Sequence, residues 1–283
     1  MKTNEIICTD ALAGLRALDA ESINCVVTSP PYWGQRDYNV KGQIGLEVSS
    51  EEYIAKLAEI FGEVKRVLKN EGTCFIVIGD KYSNKCLNLL PARLAIALEA
   101  QGWILRNELI WEKPNCLPQS VRDRFTVAHE TIYFFTKRKS HFFNQQFEPH
   151  TSAPLAERKI KAMRGLKKGF VQVGGREQNH SAHIRYDPRG RNVRTILRVP
   201  LCGFRGQHFA AFPLELAHKC LAAGCPPDGI VCDPFAGSGT VAVAAVSSGR
   251  NHIGFDLNPK YVKLANDRVR EFCSRAQISL VRP

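Results

Sequence analysis

Residues 229–240, with the sequence GIVCDPFAGSGT, decide the fold. The apolar run Ile230–Cys232 predicts a buried strand, and the small residues from Gly239 to Ser248 predict a helix soon after it. Glycines at positions 237 and 239 allow the backbone between them to approach a ligand closely. The start of the helix offers free N–H groups to a carboxylate or phosphate. The stretch therefore predicts a ligand site at the carboxyl end of a sheet strand.

An acidic residue closes the next predicted strand. Asp256 ends the run His252–Asp256, seventeen residues after Gly239. A carboxylate at this place can accept hydrogen bonds from ribose hydroxyls. Both NAD and S-adenosylmethionine satisfy this geometry, and Gly237-x-Gly239-x-x-Ala242 also fits a loose dinucleotide fingerprint. Taken alone, the glycine loop leaves the two cofactors open.

Strand-like and helix-like segments alternate on both sides of this loop. The predicted strands lie at 5–8, 23–27, 73–78, 104–111, 131–136, 229–232 and 252–256, and the predicted helices at 11–18, 50–70, 91–100, 213–223, 239–248 and 259–273. Ser49 or Ser50 is expected to cap the helix at 50–70, and Gly72 is expected to end it. The alternation predicts an α/β fold with a mostly parallel sheet and helices on both faces.

A second motif, Thr28-Ser29-Pro30-Pro31-Tyr32, follows the predicted strand at 23–27. The nitrogen of an exocyclic base amine is a poor nucleophile, because its lone pair is delocalised into the ring. Two acceptors on its N–H groups, the Ser29 hydroxyl and the Pro30 carbonyl, would shift it towards sp3 geometry. The proline pair fixes the backbone, and Tyr32 offers a flat face for stacking. The motif suits chemistry on the amine of a flipped-out base, and an ordinary loop is the alternative.

Positive charge is concentrated in one part of the chain. The formal net charge is +12, and residues 151–200 contain twelve Lys or Arg against three acids. We expect an inserted, loop-rich region that binds DNA, with a solvated linker as the alternative. Residues 33–38 form either a loop that closes on DNA or part of the framework. The expected DNA-binding residues are Arg36, Arg158, Lys161, Arg164, Lys167, Lys168, Arg185, Arg189, Arg191 and Arg194.

The two motifs together make the chain similar to the amino-methylating DNA methyltransferases. In that family a Ser/Asp/Asn-Pro-Pro-Tyr/Phe motif is catalytic, and a Phe-x-Gly-x-Gly loop binds S-adenosylmethionine. The order of catalytic motif, recognition region and cofactor loop resembles the circularly permuted β-group. The resemblance covers nearly the whole chain. It implies a Rossmann-like methyltransferase domain at 1–145 and 206–283, with an inserted target-recognition region at 146–205.

The resemblance also implies roles for single residues. Asp10 matches the family acid near the adenosine, Asp256 matches the ribose-binding acid, and His208–Pro213 resembles the segment that lines the methionine end of the cofactor. The residues implied in catalysis are Ser29, Pro30, Pro31 and Tyr32. Those implied in cofactor binding are Asp10, Asp233, Phe235, Ala236, Gly237, Gly239, Thr240, Asp256 and Pro213.

The identity of the methylated base depends on one position. Ser29 is typical of family members that methylate N4 of cytosine, whereas adenine-N6 members more often carry Asp there. We therefore expect N4-cytosine methylation, with N6-adenine methylation as the alternative. Methyltransferases of RNA or protein amides usually place the cofactor loop before the catalytic motif. A dehydrogenase would not explain Ser29–Tyr32, and a non-enzymatic DNA-binding protein explains neither motif.

Hydropathy, cysteine spacing and the absence of acidic clusters indicate the cellular location and the expected partners. No run approaches the roughly 18 apolar residues of a membrane span, so a cytoplasmic, DNA-associated protein is expected. The ten cysteines contain no Cys-x-x-Cys pair and are expected to be reduced and mostly buried. No metal site is expected, and His129-Glu130 is interpreted as framework. Double-stranded DNA is the expected partner, and a homodimer and a cognate restriction endonuclease are open alternatives.

Overall fold

The structure is a computed structural model that describes residues 2–150, 171–173, 176–178, 187, 189–201 and 212–277. The chain divides into two compact units. The larger is formed by Met1–Asn144 together with Thr195–Pro283, and the smaller by Gln145–Arg194.

The strands and helices of the described residues follow the alternation expected from the sequence. The strands are β1 (Glu5–Cys8), β2 (Ile23–Thr28), β3 (Leu68–Ile78), β4 (Tyr82–Ser83), β5 (Cys86–Leu87), β6 (Ile104–Glu112), β7 (His129–Thr136), β8 (Phe147–Glu148), β9 (Val171–Val173), β10 (Arg176–Gln178), β11 (Arg191–Asn192), β12 (Ile196–Arg198), β13 (Ile230–Asp233) and β14 (Asn251–Asp256). The helices are α1 (Ala11–Arg16), α2 (Ser50–Val67), α3 (Leu90–Ala100), α4 (Leu214–Gly224), α5 (Thr240–Ser247) and α6 (Pro259–Ala276).

One mixed sheet organises the larger unit. Among the described residues, its eight strands have the order β1-β14-β13-β2-β3-β7-β6-β12. Strand β7 runs antiparallel to β3 and β6, and the other pairings are parallel. The mostly parallel α/β sheet predicted from the sequence is thereby confirmed. The first strand of the chain pairs with the last, β14, so the sheet has the permuted connectivity expected from the motif order.

Side chains of the central strands alternate between two hydrophobic layers. In β2, Val26 belongs to the layer that contains Leu57 of α2 and Leu94 of α3. The next residue, Val27, belongs to the opposite layer with Leu216 of α4. Successive strand side chains point to opposite faces, so the helices cover the sheet on both sides. A third cluster joins α6 to α5 and β1.

The middle of the sheet contains a topological switch point. Strands β2 and β13 are neighbours, and the chain continues from β2 to β3 on one side and from β13 to β14 on the other. Open α/β sheets bind ligands in the crevice at the carboxyl ends of such a strand pair. Both sequence motifs follow these two strand ends.

Helix α2 begins as predicted and ends earlier than predicted. The Ser49 side chain accepts a hydrogen bond from the Glu52 N–H at 3.2 Å, which confirms the cap. The expected end at Gly72 is wrong, because α2 stops at Val67 and β3 starts at once. The register of β3 on β2 shifts after Leu68, and a Cβ at Gly72 would lie 2.6 Å from the Leu68 Cγ. Gly72 therefore lies in the irregular part of β3, where a larger residue would collide with Leu68.

Among its described residues, the smaller unit contains two short antiparallel strand pairs. Strand β8 pairs with β11, and β9 pairs with β10. Strand β12 lies within the predicted insertion at 146–205, yet it pairs with β6 of the sheet. The smaller unit is therefore shorter than the predicted insertion. In the described part of the chain, no helix combines the length and apolarity needed to cross a membrane.

Candidate active site

The two motifs meet at the switch point through one buried hydrogen bond. Thr28 ends β2 and Asp233 ends β13, and the Thr28 hydroxyl donates to the Asp233 carboxylate at 2.7 Å. Both side chains are buried, with 0% and 5% exposure. The same carboxylate accepts the Phe235 N–H at 3.1 Å. Asp233 thus fixes both loops relative to each other.

A cavity of about 980 Å³, part of it open to solvent, lies between these loops. The predicted site residues that line it are Asp10, Ser29, Pro31, Asp233, Phe235, Ala236, Gly237, Thr240 and Asp256. The fold therefore brings together the Ser-Pro-Pro-Tyr motif, the glycine loop and all three predicted acids.

The carboxylate of Asp256 organises the glycine loop. One oxygen accepts the Gly237 N–H at 2.9 Å, and the other accepts the Asn258 N–H at 2.8 Å. Burial raises the pKa of Asp256, although these two hydrogen bonds lower it. Gly237 has a φ of +49°, and a Cβ there would meet only the Phe235 carbonyl oxygen at 3.9 Å. The space beside Gly237 is therefore open for a ligand.

Asp233 is the most strongly perturbed acid that lines the cavity. Burial raises its pKa to about 7, while the hydrogen bonds from Thr28 and from the Phe235 N–H lower it. The nearby Asp256 carboxylate raises the pKa of Asp233 further. A carboxyl group with this pKa changes its charge near neutral pH, which is a frequent property of functional sites.

Helix α6 holds the glycine loop from outside. The Arg268 Nη1 donates to the Ser238 carbonyl at 3.0 Å and to the Thr240 hydroxyl at 3.2 Å. A Cβ at Gly239 would lie 2.9 Å from the Ala265 Cβ. Gly239 therefore permits close packing of the loop on α6, and it does not line the cavity.

The Ser-Pro-Pro-Tyr motif is tied to neighbouring elements. The Ser29 hydroxyl donates to the Tyr32 hydroxyl at 3.3 Å, and Tyr32 donates to the Glu130 carboxylate at 2.7 Å. The Tyr53 hydroxyl of α2 donates to the Pro31 carbonyl at 2.9 Å. These contacts fix the motif from α2 on one side and from β7 on the other.

Four predicted site residues lie outside the cavity wall, and Gly239 is one of them. Pro30 is buried, and Tyr32 packs against Gly79. Pro213 occupies the N-cap position of α4. The neighbour of Pro213, Phe212, lines the cavity instead. His208–Ala211 and six predicted DNA-binding cations lie outside the described residues, namely Arg158, Lys161, Arg164, Lys167, Lys168 and Arg185.

Three predicted DNA-binding arginines are ion-paired within the smaller unit. Arg189 pairs with Asp187 at 2.7 Å, and Arg191 and Arg194 both pair with Glu148 at 2.7 Å. The side chains of Arg189 and Arg194 are 69% and 67% exposed. Surface ion pairs contribute only about 0–1 kcal/mol, so these arginines can exchange a carboxylate for a phosphate.

The structure adds residues that the sequence did not indicate. Tyr38 and Tyr261 line the cavity and meet edge to face, with ring centroids 6.1 Å apart. Tyr38 belongs to the segment at 33–38 that had two interpretations, and here it forms part of the wall. Glu130, interpreted as framework, contacts Tyr32 directly. No periodicity or spacing in the sequence signals these contacts, which join distant segments.

Comparisons with known proteins identify the group to which this site belongs. Residues 23–267 match the family model N6_N4_Mtase, described as a DNA methylase. The type II methyltransferase M.XycI of Xanthomonas campestris pv. cyanopsidis is 37% identical, and the alignment covers 92% of this chain and 86% of that protein.

Solved structures share the fold at lower identity. The PvuII DNA methyltransferase, named as cytosine-N4-specific, superposes with a TM-score of 0.68 at 20% identity, over 97% of this chain and 93% of the other. A DNA modification methylase of Thermus thermophilus, complexed with S-adenosyl-L-methionine, gives a TM-score of 0.62 at 23% identity, over 95% and 93%. Both confirm the methyltransferase sheet.

Proposed function

Since the chain belongs to the N6/N4 family of DNA methylases, we propose that it methylates N4 of cytosine in duplex DNA, with S-adenosylmethionine as the methyl donor. One observation carries the proposal. Ser29 lines the same cavity as Phe235–Ser238 and Thr240 of the glycine loop. An acceptor for a base amine and a cradle for a nucleoside cofactor therefore face one space.

The residues of the cavity fit S-adenosylmethionine. A carboxylate has about four acceptor sites, so Asp256 retains capacity for ribose hydroxyls beside its two backbone hydrogen bonds. Tyr38, Phe235 and Tyr261 offer flat apolar surfaces for an adenine ring. The N-terminus of α5 suits the carboxylate of the methionine portion. When bound, this cofactor supplies an electrophilic methyl group on a sulfonium sulfur.

The protein's own part in the reaction is to position and polarise the base amine. Ser29 accepts a hydrogen bond from an N–H of the amine, which frees the nitrogen lone pair. The neighbouring backbone is fixed by the proline pair and by the hydrogen bond from Tyr53 to the Pro31 carbonyl. Such positioning makes a direct in-line methyl transfer faster without a covalent enzyme intermediate.

Cytosine is proposed on the identity of residue 29. Serine at this position is typical of N4-cytosine members, whereas adenine members more often carry aspartate. Similarity of fold to the PvuII enzyme does not choose between the bases. The proposal for cytosine therefore rests on Ser29 and on its place in the cavity wall.

Duplex DNA is the proposed substrate, and three arginines are proposed to contact its phosphates. Residue Arg36 follows the catalytic motif, and Arg189 and Arg194 are exposed cations of the smaller unit. Phosphate contacts of this kind position a protein on DNA without reading its sequence. The relative M.XycI is named a type II methyltransferase, and a companion endonuclease is part of this proposal.

Nucleoside mass spectrometry tests the base assignment. Genomic DNA from a host without DNA methyltransferases is incubated with the protein and methyl-labelled S-adenosylmethionine, then digested to nucleosides. Labelled N4-methylcytosine is expected. Labelled N6-methyladenine would keep the site and overturn the choice of base. Absence of label from DNA, with the cofactor bound, would contradict DNA as the substrate.

A further inference from the structure

A chain of polar side chains extends from the cavity wall into the protein. It begins at Ser29, passes through the hydroxyl of Tyr32 to Glu130 of β7, and ends at Lys113, which follows β6. The Lys113 ammonium forms an ion pair with Glu130 and lies 4.5 Å from the centroid of the Trp111 ring. These four side chains form what we call the Ser29–Lys113 chain.

The donors and acceptors of this chain can point in only one direction. A Lys ammonium has three donors and no acceptor, so Lys113 donates to the Glu130 carboxylate. The Glu130 carboxylate accepts a hydrogen bond from the Tyr32 hydroxyl at 2.7 Å. The lone pairs of the Tyr32 oxygen then face the Ser29 hydroxyl, which donates to it at 3.3 Å. As a result, the acceptor lone pairs of Ser29 are turned away from Tyr32.

The surroundings keep the chain in this arrangement. The Lys113 and Glu130 side chains are only 16% and 18% exposed. Burial and the nearby Glu130 charge hold the pKa of Tyr32 well above its usual range, so the phenol remains a donor at neutral pH. A Cβ at Gly79 would lie 2.8 Å from the Tyr32 Cε2, so the ring has little room to move.

We propose that Tyr32, Glu130 and Lys113 are positioning residues that orient the Ser29 hydroxyl so that it accepts a hydrogen bond from the base amine. A serine hydroxyl can donate or accept, and only the accepting orientation draws an N–H towards Ser29. The 3.3 Å separation of the Ser29 and Tyr32 hydroxyls exceeds the usual hydroxyl–hydroxyl distance. Hydrogen bonds between catalytic groups are often long in free enzymes and shorten with substrate. The inference rests on the proposed amino-methylation.

Steady-state kinetics of conservative variants test this role. Tyr32→Phe keeps the ring and removes only the hydroxyl, and it is expected to lower kcat about tenfold, which corresponds to one oriented hydrogen bond. The KM values for DNA and for S-adenosylmethionine are expected to change less than about twofold. Glu130→Gln should lower kcat similarly. The double variant should be no slower than the slower single variant, because both changes interrupt one chain.

A matched control separates orientation from general packing. Tyr133 is a buried residue of β7, the strand that carries Glu130, and it lies outside the cavity wall. Its hydroxyl donates to the Glu108 carboxylate at 3.5 Å. Tyr133→Phe removes the same kind of contact and should leave kcat unchanged. Lys113→Arg should retain most activity because it preserves the cation, whereas Lys113→Met should not.

The outcomes distinguish the inference from the function on which it rests. Active wild-type protein together with a Tyr32→Phe variant of full kcat would overturn the chain's role. A multiplicative loss in the double variant would overturn it as well, because the two residues would then act separately. Wild-type protein that methylates no DNA amine would overturn the proposed function and this inference with it.

Discussion

Replacing Thr28 with valine removes one hydroxyl from the junction of the two motif-bearing strands and nearly preserves the side-chain shape. The Thr28 hydroxyl donates to Asp233 at 2.7 Å, and both side chains are buried. A hydrogen bond to a charged group contributes about 1.5–3 kcal/mol to stability, and one between neutral groups contributes about 1 kcal/mol. The cost of Thr28→Val therefore depends on the charge of Asp233.

The sign of the pH dependence follows from the Asp233 pKa. Burial raises this pKa to about 7, and the Thr28 hydrogen bond acts in the opposite direction. Loss of the hydroxyl therefore raises the pKa of Asp233 further and destabilises the protein more when Asp233 is ionised than when it is protonated. We expect Thr28→Val to cost about 1.5–3 kcal/mol at about pH 8.5, where Asp233 is ionised, and about 1 kcal/mol at about pH 5.5, where it is protonated.

Urea denaturation at the two pH values measures this difference. Thr73→Val is the matched control, because Thr73 is equally buried and its hydroxyl donates to the neutral Gly224 carbonyl at 2.8 Å. Its cost should be about 1 kcal/mol at both pH values. An equal cost of Thr28→Val at both pH values would refute the argument that a titrating carboxylate joins the two loops.

Four further variants test other parts of the structure. Gly237→Ala is expected to weaken S-adenosylmethionine binding about tenfold, measured by calorimetry, because Gly237 has a positive φ and lines the cavity. Gly239→Ala should instead lower the Tm of the protein, because the added Cβ would collide with Ala265. Burial lowers the pKa of His252 to about 4, so the native state resists its protonation and loses stability as pH falls below about 6.5. Denaturation should show His252→Leu gaining up to about 2 kcal/mol relative to wild type between about pH 7 and pH 5, and a pH-independent difference would contradict this. Arg194→Gln should weaken DNA binding and make the slope of log K against log salt shallower by about 0.9, and an unchanged slope would argue against a phosphate contact.

The order and type of the elements were predictable because local chemistry specifies them. Glycine and proline mark the ends of the predicted strands, and apolar spacing distinguishes the helices from the strands. The antiparallel direction of β7 was not predictable, since an apolar run such as Ile132–Phe135 has no inherent direction. The end of α2 was predicted at Gly72, but pairing of Leu68 with Ile23 overrides that local signal.

The motifs of the candidate site were predictable, while the contacts that position them were not. Ser29 and Gly237 belong to short motifs whose chemistry is visible in the sequence, and the structure places both in one cavity. Glu130 is 98 positions from Tyr32, and pairing of β7 with β3 brings it to that edge of the sheet. Such contacts arise from strand order, which neither spacing nor composition reveals.

The central claim is that Ser29 acts on the base amine in a cavity that holds the cofactor independently of it. The most direct measurement is single-turnover methyl transfer by Ser29→Ala, with its S-adenosylmethionine affinity measured on the same preparation. We expect a rate reduced at least about tenfold, as for loss of a transition-state hydrogen bond, with Kd for the cofactor changed less than about twofold. Methyl transfer at the wild-type rate would show that Ser29 does not act on the base amine.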